Sequence, residues 1–404
     1  MNRPRLANFK TCTGCLACVD SCNKNALSKY IATDGHFYIR CNEENCVLCH
    51  KCETICPVIN GTEYSSNNIK HSYPYSLYST DNTIYNRSTS GGAFAAIAYN
   101  FIKEGGYVCG AILKNNKVIH IVSNQLSDIQ LMQGSKYMQS DTEGIYKTIR
   151  NLLKQKIKVL FCGVGCQAAA ILSFFKNEKY FNYLYTIDMI CGGVPSSHLV
   201  TQFIIHEKQY KNIIGFRKKE KYILSCYDNN NKLIYLKNQR TLPLYGFFSD
   251  LTKRYSCGNC HFCGVERLSD ITIGDYWGNN SQKSPHQSIV IIHSKKGEDL
   301  INHTDKISKL PVNWSFLKSN YRCVIGKSYN NYRIQRILLP FFFTQLSYKS
   351  LCGLYGCNHE NIFWLFLKVY NSFIKKIFKL IIDIKLYKII KKIENNKSTK
   401  KKQL

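Results

Sequence analysis

A chain of 404 residues with 45% hydrophobic content is long enough for two or three domains and too apolar to be disordered throughout. Two numbers stand out, 20 cysteines and a formal net charge of +29 at pH 7. Arginines at positions 3 and 5 are followed by no apolar segment, so a secretory signal is not expected, and metal ligation is a better reading of the cysteines than a disulfide framework. Residues 1–60 carry a net +2 and residues 360–404 a net +9, so only the tail concentrates the charge. No zinc-finger spacing or other nucleic-acid motif accompanies it, and nucleic-acid binding is not expected.

The first element is a cysteine run. Cys12, Cys15, Cys18 and Cys22 stand at C-x2-C-x2-C-x3-C spacing, and Cys46, Cys49, Cys52 and Cys56 repeat it, with Pro57 behind the last. At this spacing a short loop wraps three thiolates round one corner of a cubane, while the displaced fourth cysteine reaches the other cluster. The expected sets are Cys12, Cys15, Cys18 and Cys56 for one 4Fe–4S cluster and Cys46, Cys49, Cys52 and Cys22 for a second. Zinc is the rival, but it takes two C-x2-C knuckles set well apart rather than four cysteines within eleven residues. Asn23 replaces the proline that usually follows the fourth cysteine, a change of loop geometry rather than of ligation. Cys41 lies outside both runs and reads as a buried or free thiol. Phe37–Arg40 alternates as a strand, in keeping with an α+β ferredoxin-like module over residues 1–60. Residues 61–73 are polar and turn-rich and read as a linker. Two such clusters carry single electrons and do no substrate chemistry, so the rest of the chain must supply the end station.

Over residues 74–345 strand-like and helix-like segments alternate. Strands are expected at Tyr75–Ser79, Tyr107–Leu113, Val118–Val122, Val159–Phe161 and Tyr183–Ile190, and helices at Gly92–Lys103, Ile145–Lys154, Cys166–Phe175 and Ser197–Glu207. This order predicts a larger α/β domain with a largely buried sheet. Ser88-Thr-Ser-Gly-Gly92 precedes a helix, where free amides and small side chains suit a phosphate group as well as an ordinary N-cap. Phe161-Cys-Gly-Val-Gly-Cys-Gln167 runs from strand into helix and puts Cys166 at a positive helix end, fit for a ligand or a nucleophile. Gly134-Ser-Lys-Tyr137 brings a cation and an aromatic ring into a loop. Cys191-Gly-Gly-Val-Pro195 ends a strand, and Cys257, Cys260 and Cys263 follow at two-residue gaps. A C-x2-C pair with two more remote cysteines is enough for a third metal site, either zinc or a further cluster. No histidine stands out as a partner for Cys166 or Cys191, which argues against Cys–His nucleophilic catalysis and leaves no catalytic residue named.

Taken in order, the ferredoxin-like start, STSGGAF, GSKYMQS, FCGVGCQAA, CGGVPS, RYSCGNCHF and SDITIGDYWG resemble the coenzyme F₄₂₀ hydrogenase/dehydrogenase β-subunit family over about residues 1–345. The resemblance implies a flavin iron–sulfur oxidoreductase, in a family that includes the hydrogenase subunit reducing the deazaflavin coenzyme F₄₂₀ and ferredoxin-dependent reductases of chlorophyll intermediates. It implies an FAD site at Ser90, Gly91 and Gly92 with Ser135, Lys136 and Tyr137. It also implies a third 4Fe–4S cluster on Cys166, Cys191, Cys257 and Cys260, with Cys263 the next candidate. The chain departs from many relatives with Val164-Gly165 in place of Thr-Pro and Gly192 in place of His. These changes flank the cysteines and leave the substrate open. On this reading ferredoxin or a redox partner subunit feeds the N-terminal clusters, the third cluster exchanges electrons with FAD, and a small organic substrate is reduced or oxidised. The alternative is a non-catalytic electron-transfer subunit of a larger redox complex.

In the tail, residues 360–404, Phe366, Tyr370, Phe373, Ile377, Ile381 and Ile384 recur at helical spacing with lysines between them. This predicts a basic amphipathic helix ending in a disordered lysine run. Its longest uncharged stretch, Asn361–Leu367, is too short to cross a bilayer. Such a helix lies on an anionic membrane surface, docks on an acidic partner or packs on its own domain. The expected location is the cytoplasm, with peripheral contact at the inner face of the membrane if the helix meets lipid.

Overall fold

The computed structural model describes residues 3–60, 71–219, 221–237, 241–248, 250, 252–278, 285–321 and 324. The expected C-terminal helix, most of the linker and the last part of the expected 74–345 domain lie outside them.

The N-terminal module has two similar halves. α1 (Ala17–Ser21) carries Cys18 and ends against Cys22; β1 (Leu27–Ile31) and β2 (Phe37–Cys41) pair antiparallel; α2 (Lys51–Thr54) carries Cys52. Each helix is entered through a left-handed residue, Leu16 at φ 60° and His50 at φ 54°. That sharp reversal turns each cysteine loop back on itself.

Among the described residues the large domain supplies nine strands of one mixed sheet and three of a second. In chain order they are β3 (Tyr73–Ser79), β4 (Tyr107–Lys114), β5 (Lys117–Ser123), β6 (Ser140–Asp141), β7 (Val159–Val164) and β8 (Leu184–Met189). Next come β9 (Tyr210–Gly215), β10 (Ile223–Asp228) and β11 (Leu233–Lys237), which form the small antiparallel sheet. β12 (Ile271–Asp275), β13 (Ser288–Ile292) and β14 (Ile307–Pro311) complete the large one. Its order is β14-β3-β13-β12-β8-β7-β4-β5-β6, parallel through the central β12-β8-β7-β4 run and antiparallel from β12 out to β14. The helices are α3 (Asn82–Arg87), α4 (Ala93–Lys103), α5 (Leu126–Met132), α6 (Ile145–Lys154), α7 (Gly165–Phe175), α8 (Ser197–His206), α9 (Leu242–Phe248), α10 (Lys295–Asn302) and α11 (Trp314–Asn320).

The central strands are apolar because helices cover both faces. On one side Ala95, Ala98 and Phe101 of α4 pack with Met132 of α5 and Leu300 of α10. On the other, Tyr146 and Ile149 of α6 pack with Phe174 and Phe175 of α7 against Phe161. The expected strands and helices are present within a few residues at each end. β3 starts at Tyr73, so the last linker residue belongs to the sheet. The expectation of an α/β domain omits β12, β13 and β14, which come late in the chain and build the antiparallel half of the sheet with β3.

The two modules are fastened by polar groups as well as by packing. Cys15, Ala17 and Ile55 share a core with Tyr146 and Phe161. Asp20 accepts from the Gly144 and Tyr146 amides at 2.8 and 3.0 Å, capping α6 from the other module. Tyr146 Oη and Thr142 Oγ1 donate to the Cys15 carbonyl at 2.7 and 2.8 Å, and Gln139 Nε2 donates to that of Thr13 at 3.3 Å. Arg254, 1% exposed, donates Nε to the Cys12 carbonyl at 2.6 Å and Nη1 to the Phe37 carbonyl and Gln139 Oε1 at 3.0 and 3.2 Å. Its guanidinium also lies 4.3 Å from the Tyr38 ring centroid. Gly14, at φ +67°, lets this peg approach; a Cβ there would stand 2.9 Å from Arg254 Nη1. Replacing Arg254 with Met would strand the Cys12 and Phe37 carbonyls, and we expect a loss of about 3 kcal/mol. The check is the urea midpoint of the anaerobically prepared chain; an unshifted midpoint would refute the pinning role.

Candidate functional site

Ligands of open α/β sheets sit beyond the carboxyl ends of the parallel strands. Here those ends deliver Cys166 just after β7, Cys191 just after β8 and Asp275 at the end of β12. Between them opens a cavity of about 280 Å³. Its wall includes Ser88–Ser90 and Gly92 before α4, Gly134–Gln139, Cys162–Val164 with Cys166, Met189–Val194, Phe247, and Thr13 with Gly14 from the first cysteine loop.

Five of the six residues expected at the flavin, Ser90, Gly92, Ser135, Lys136 and Tyr137, line this one cavity. Gly91 does not. Its amide donates to Ser288 Oγ at 3.1 Å, and a Cβ would collide with the Leu77 carbonyl and the Ser288 amide, so it is a packing glycine. Thr89 Oγ1 and Ser135 Oγ, 3.1 Å apart, tie the two loops together, and Ser90 Oγ donates to the Gln287 carbonyl at 2.7 Å. Gly92 is the N-cap of α4 at φ 88° and offers no side-chain cap, leaving the first amides of the helix to an outside acceptor. Tyr137 and Phe247 form an aromatic wall, centroids 4.5 Å apart, and Gly110, Ala111 and Gly163 give small-residue flooring. These residues fit a flat, phosphate-bearing cofactor. Lys136 serves otherwise than the sequence implies: its ammonium caps α5, bonded to the carbonyls of Met132, Gln133 and Gly134 at 2.8, 2.9 and 3.1 Å. Burial draws its pKa down to about 7.

The cysteines gather in three groups. Burial, then Cys56 and Cys12, push the Cys15 thiol up to about 12, and Cys18 rises with Cys15, Cys12 and Cys56 among its neighbours. Cys49 acts on Cys52, while Cys41 bonds to Cys46 and faces Cys22, so Cys41 adds a fifth thiol to the second group. Cys166 is raised by burial, then by Cys257 and Cys191, and it also feels Cys15. Cys260 is raised first by its hydrogen bond with Cys263, then by burial and by Cys166 and Cys257. Among the described residues no group of three or more Cys, His, Asp or Glu converges on a single metal ion. A cubane needs no such convergence, since each thiolate holds a different iron. Buried thiols with raised pKa values are poor nucleophiles, and they become thiolates when a cationic metal core arrives.

A buried polar chain holds the strands that carry Cys191 and the Cys257–Cys263 loop. Arg267 and Asp188, both side chains 3% exposed, pair at 3.4 Å, and Arg267 Nη1 donates to the Phe262 carbonyl at 3.2 Å. Asp188 Oδ1 accepts from Thr272 Oγ1 at 2.5 Å, which lies 2.9 Å from His293 Nε2, and His293 Nδ1 is 2.8 Å from Ser72 Oγ. Arg254, Asp188, Arg267 and Phe247 were not legible as site residues. His120, on the cavity wall, had one usable signal: an imidazole in the inward register of the alternating strand β5, beside buried Val118.

Burial, then the Arg267 charge, lowers His293 from 6.5 to about 3. The unfolded chain therefore takes up a proton near pH 6.5 that the folded chain refuses, so stability is full above that pH and falls as pH drops toward the folded value. From pH 7.5 to pH 5 the loss assigned to His293 is about 2 kcal/mol. Urea unfolding of wild type and His293→Asn at both pH values checks this; the variant should show a flatter pH dependence.

Residues 157–312 match the family described as the C terminus of the coenzyme F₄₂₀ hydrogenase/dehydrogenase beta subunit, and residues 11–60 match the 4Fe-4S dicluster domain. No curated protein matches the chain. Among solved structures, a chain of the xenon-derivatised F₄₂₀-reducing nickel–iron hydrogenase complex from Methanosarcina barkeri is similar at 17% identity and a TM-score of 0.47, over 63% of this chain and 89% of that one. With a dicluster segment ahead of that C-terminal segment, the chain is an iron–sulfur redox protein related to the coenzyme F₄₂₀ hydrogenase/dehydrogenase beta subunits.

Proposed function

We propose that this chain is an FAD- and iron–sulfur-dependent oxidoreductase that works on a small organic substrate in the cavity. One observation carries the reading: the Ser90–Gly92 and Ser135–Tyr137 loops, Cys166 and Cys191, and Thr13 and Gly14 of the first cysteine loop all meet at the same cavity. The ligand sets are Cys12, Cys15, Cys18 and Cys56; Cys46, Cys49, Cys52 and Cys22; and Cys166, Cys191, Cys257 and Cys260. Cys263 ranks behind Cys260, because Arg267 and Cys260 are its neighbours rather than Cys166 or Cys257. Bound there, the clusters supply single-electron transfer and FAD the exchange between one- and two-electron chemistry.

The chain's own residues supply order and insulation. Cys49 is exposed and Val47 beside it is 60% exposed, whereas Cys12 and Cys15 are buried and Cys166 stands at the cavity. The cysteine groups thus run from surface to interior. The exposed end fits an electron-carrying partner, a ferredoxin or a redox subunit such as the hydrogenase assemblies of the family contain. The α4 amides after Gly92 would hold a phosphate of the cofactor, and Tyr137 and Phe247 would shield its ring from water. No helix among the described residues is long and apolar enough to cross a membrane.

Anaerobic reconstitution followed by iron, sulfide and flavin analysis tests the scheme. We expect about twelve iron atoms and one FAD per chain. About eight iron atoms without flavin would overturn it. Cys166→Ser should lose about four iron atoms while Cys263→Ser keeps them; zinc in the third group would remove that cluster from the scheme. Tight co-purification with a partner and no turnover by the loaded chain alone would turn the reading to an electron-transfer subunit.

A further inference from the structure

Two polar atoms of the cavity's lining residues lack a hydrogen-bond partner, and both are acceptors. They are His120 Nδ1 and Gln133 Oε1, each buried, on side chains that line the cavity. What their companion atoms do fixes their character. His120 Nε2 lies 3.1 Å from the Cys162 carbonyl oxygen, which only accepts, so the ring proton sits on Nε2 and Nδ1 keeps a bare lone pair. The residue is 5% exposed, and its ring stacks on Phe161 with centroids 5.6 Å apart and planes inclined by 9°, which fixes its orientation. Burial holds the imidazole pKa down to about 4, with the Lys136 charge adding to the effect, so Nδ1 stays unprotonated at neutral pH. Gln133 Nε2 donates to the Ile84 carbonyl at 3.1 Å and to Ser88 Oγ at 2.9 Å, which settles the amide orientation and leaves Oε1 as the open end. The Lys136 ammonium serves neither acceptor, since its three hydrogens go to the Met132, Gln133 and Gly134 carbonyls.

Folded proteins leave few buried polar atoms unmatched, and two of the same kind at one cavity call for a ligand that brings donors. We propose that His120 and Gln133 form an acceptor pair for N–H and O–H groups of the cavity ligand, with His120 as a positioning residue that receives the ring N–H of an isoalloxazine. The proposal rests on the flavin reading above. Oxidised isoalloxazine carries a single ring donor, N3–H, and its hydroxyl and amino groups lie on the rest of the FAD molecule, where Gln133 would meet them. His120 would therefore select the pyrimidine end of the ring for its side of the cavity.

The test is FAD titration, by flavin fluorescence, of the full-length chain loaded with iron and sulfide but stripped of flavin. His120→Gln places an amide nitrogen near Nε2, keeps the bond to Cys162 and removes the acceptor. His120→Asn retains an acceptor near Nδ1. We expect His120→Gln to weaken FAD binding about tenfold and His120→Asn to stay within about threefold of wild type. Wild type should prefer FAD over its N3-methyl derivative, and His120→Gln should lose that preference, a readout that a merely structural ring would not move. Iron content and urea midpoint, measured on each variant, report that the fold is retained. Wild-type affinity in His120→Gln, or equal weakening in both variants, would overturn the proposal while leaving the flavin reading in place. A fully loaded wild-type chain that binds no FAD takes both down.

Discussion

One buried guanidinium sets how the first cysteine loop meets the large domain. A charge that deep is tolerable only with its acceptors already in place, and the fork of Arg254 fixes where they stand. Two of those acceptors are main-chain carbonyls of the N-terminal module, at Cys12 and Phe37, and one is Gln139 of the large domain. The first cysteine loop is therefore shaped from outside. The same guanidinium stands three residues before Cys257, so one side chain relates the first cysteine group to the third.

Burial then decides what the thiols are for. In water a thiol is a partial nucleophile at neutral pH; around Cys15 and Cys166 desolvation and neighbouring sulfur both disfavour the thiolate. Such a site is unsuited to attack and suited to a cationic core that reverses the balance. The Asp188–Arg267 pair works at the strand ends in the same spirit. Its two opposite charges face one another beside the walls that hold Cys191 and the Cys257–Cys263 loop.

Local signals survived the passage from sequence to structure, and tertiary ones did not. The cysteine spacings and the helix read at Gly92–Lys103, observed as Ala93–Lys103, depend on near neighbours in the chain. So do Val159–Phe161 and Tyr183–Ile190, whose apolar runs mark strands covered on both faces. The antiparallel β13 and β14 were hidden because they pair with β3, over two hundred residues earlier. The loops expected at the flavin do converge, yet Gly91 turned out to serve packing and Lys136 to cap α5. A glycine against a neighbouring strand and a lysine over carbonyls look, in sequence, the same as ligand-binding residues. Asp20 carries no sequence signal, and Arg254, though it opens the RYSCGNCHF run, gives no sign there of its buried role, since the partners of both come from another module.

The joint between modules has a consequence for how the chain folds. Residues 1–60 look like a detachable ferredoxin, yet Cys15, Ala17 and Ile55 belong to the core of α6 and α7, and Asp20 finishes the first turn of α6. The module has a small core of its own around Leu16, Val19, Leu27, Phe37 and Cys52, but Cys15, Ala17 and Ile55 gain their cover only when later elements arrive. Cys12 and Arg254 are 242 residues apart, a contact of very high sequence separation. During synthesis the earliest thiols emerge long before the side chain that will fix their loop. The loop that presents Cys12 therefore takes its final shape only after Arg254 has been made, which links the order of folding to the order of ligation.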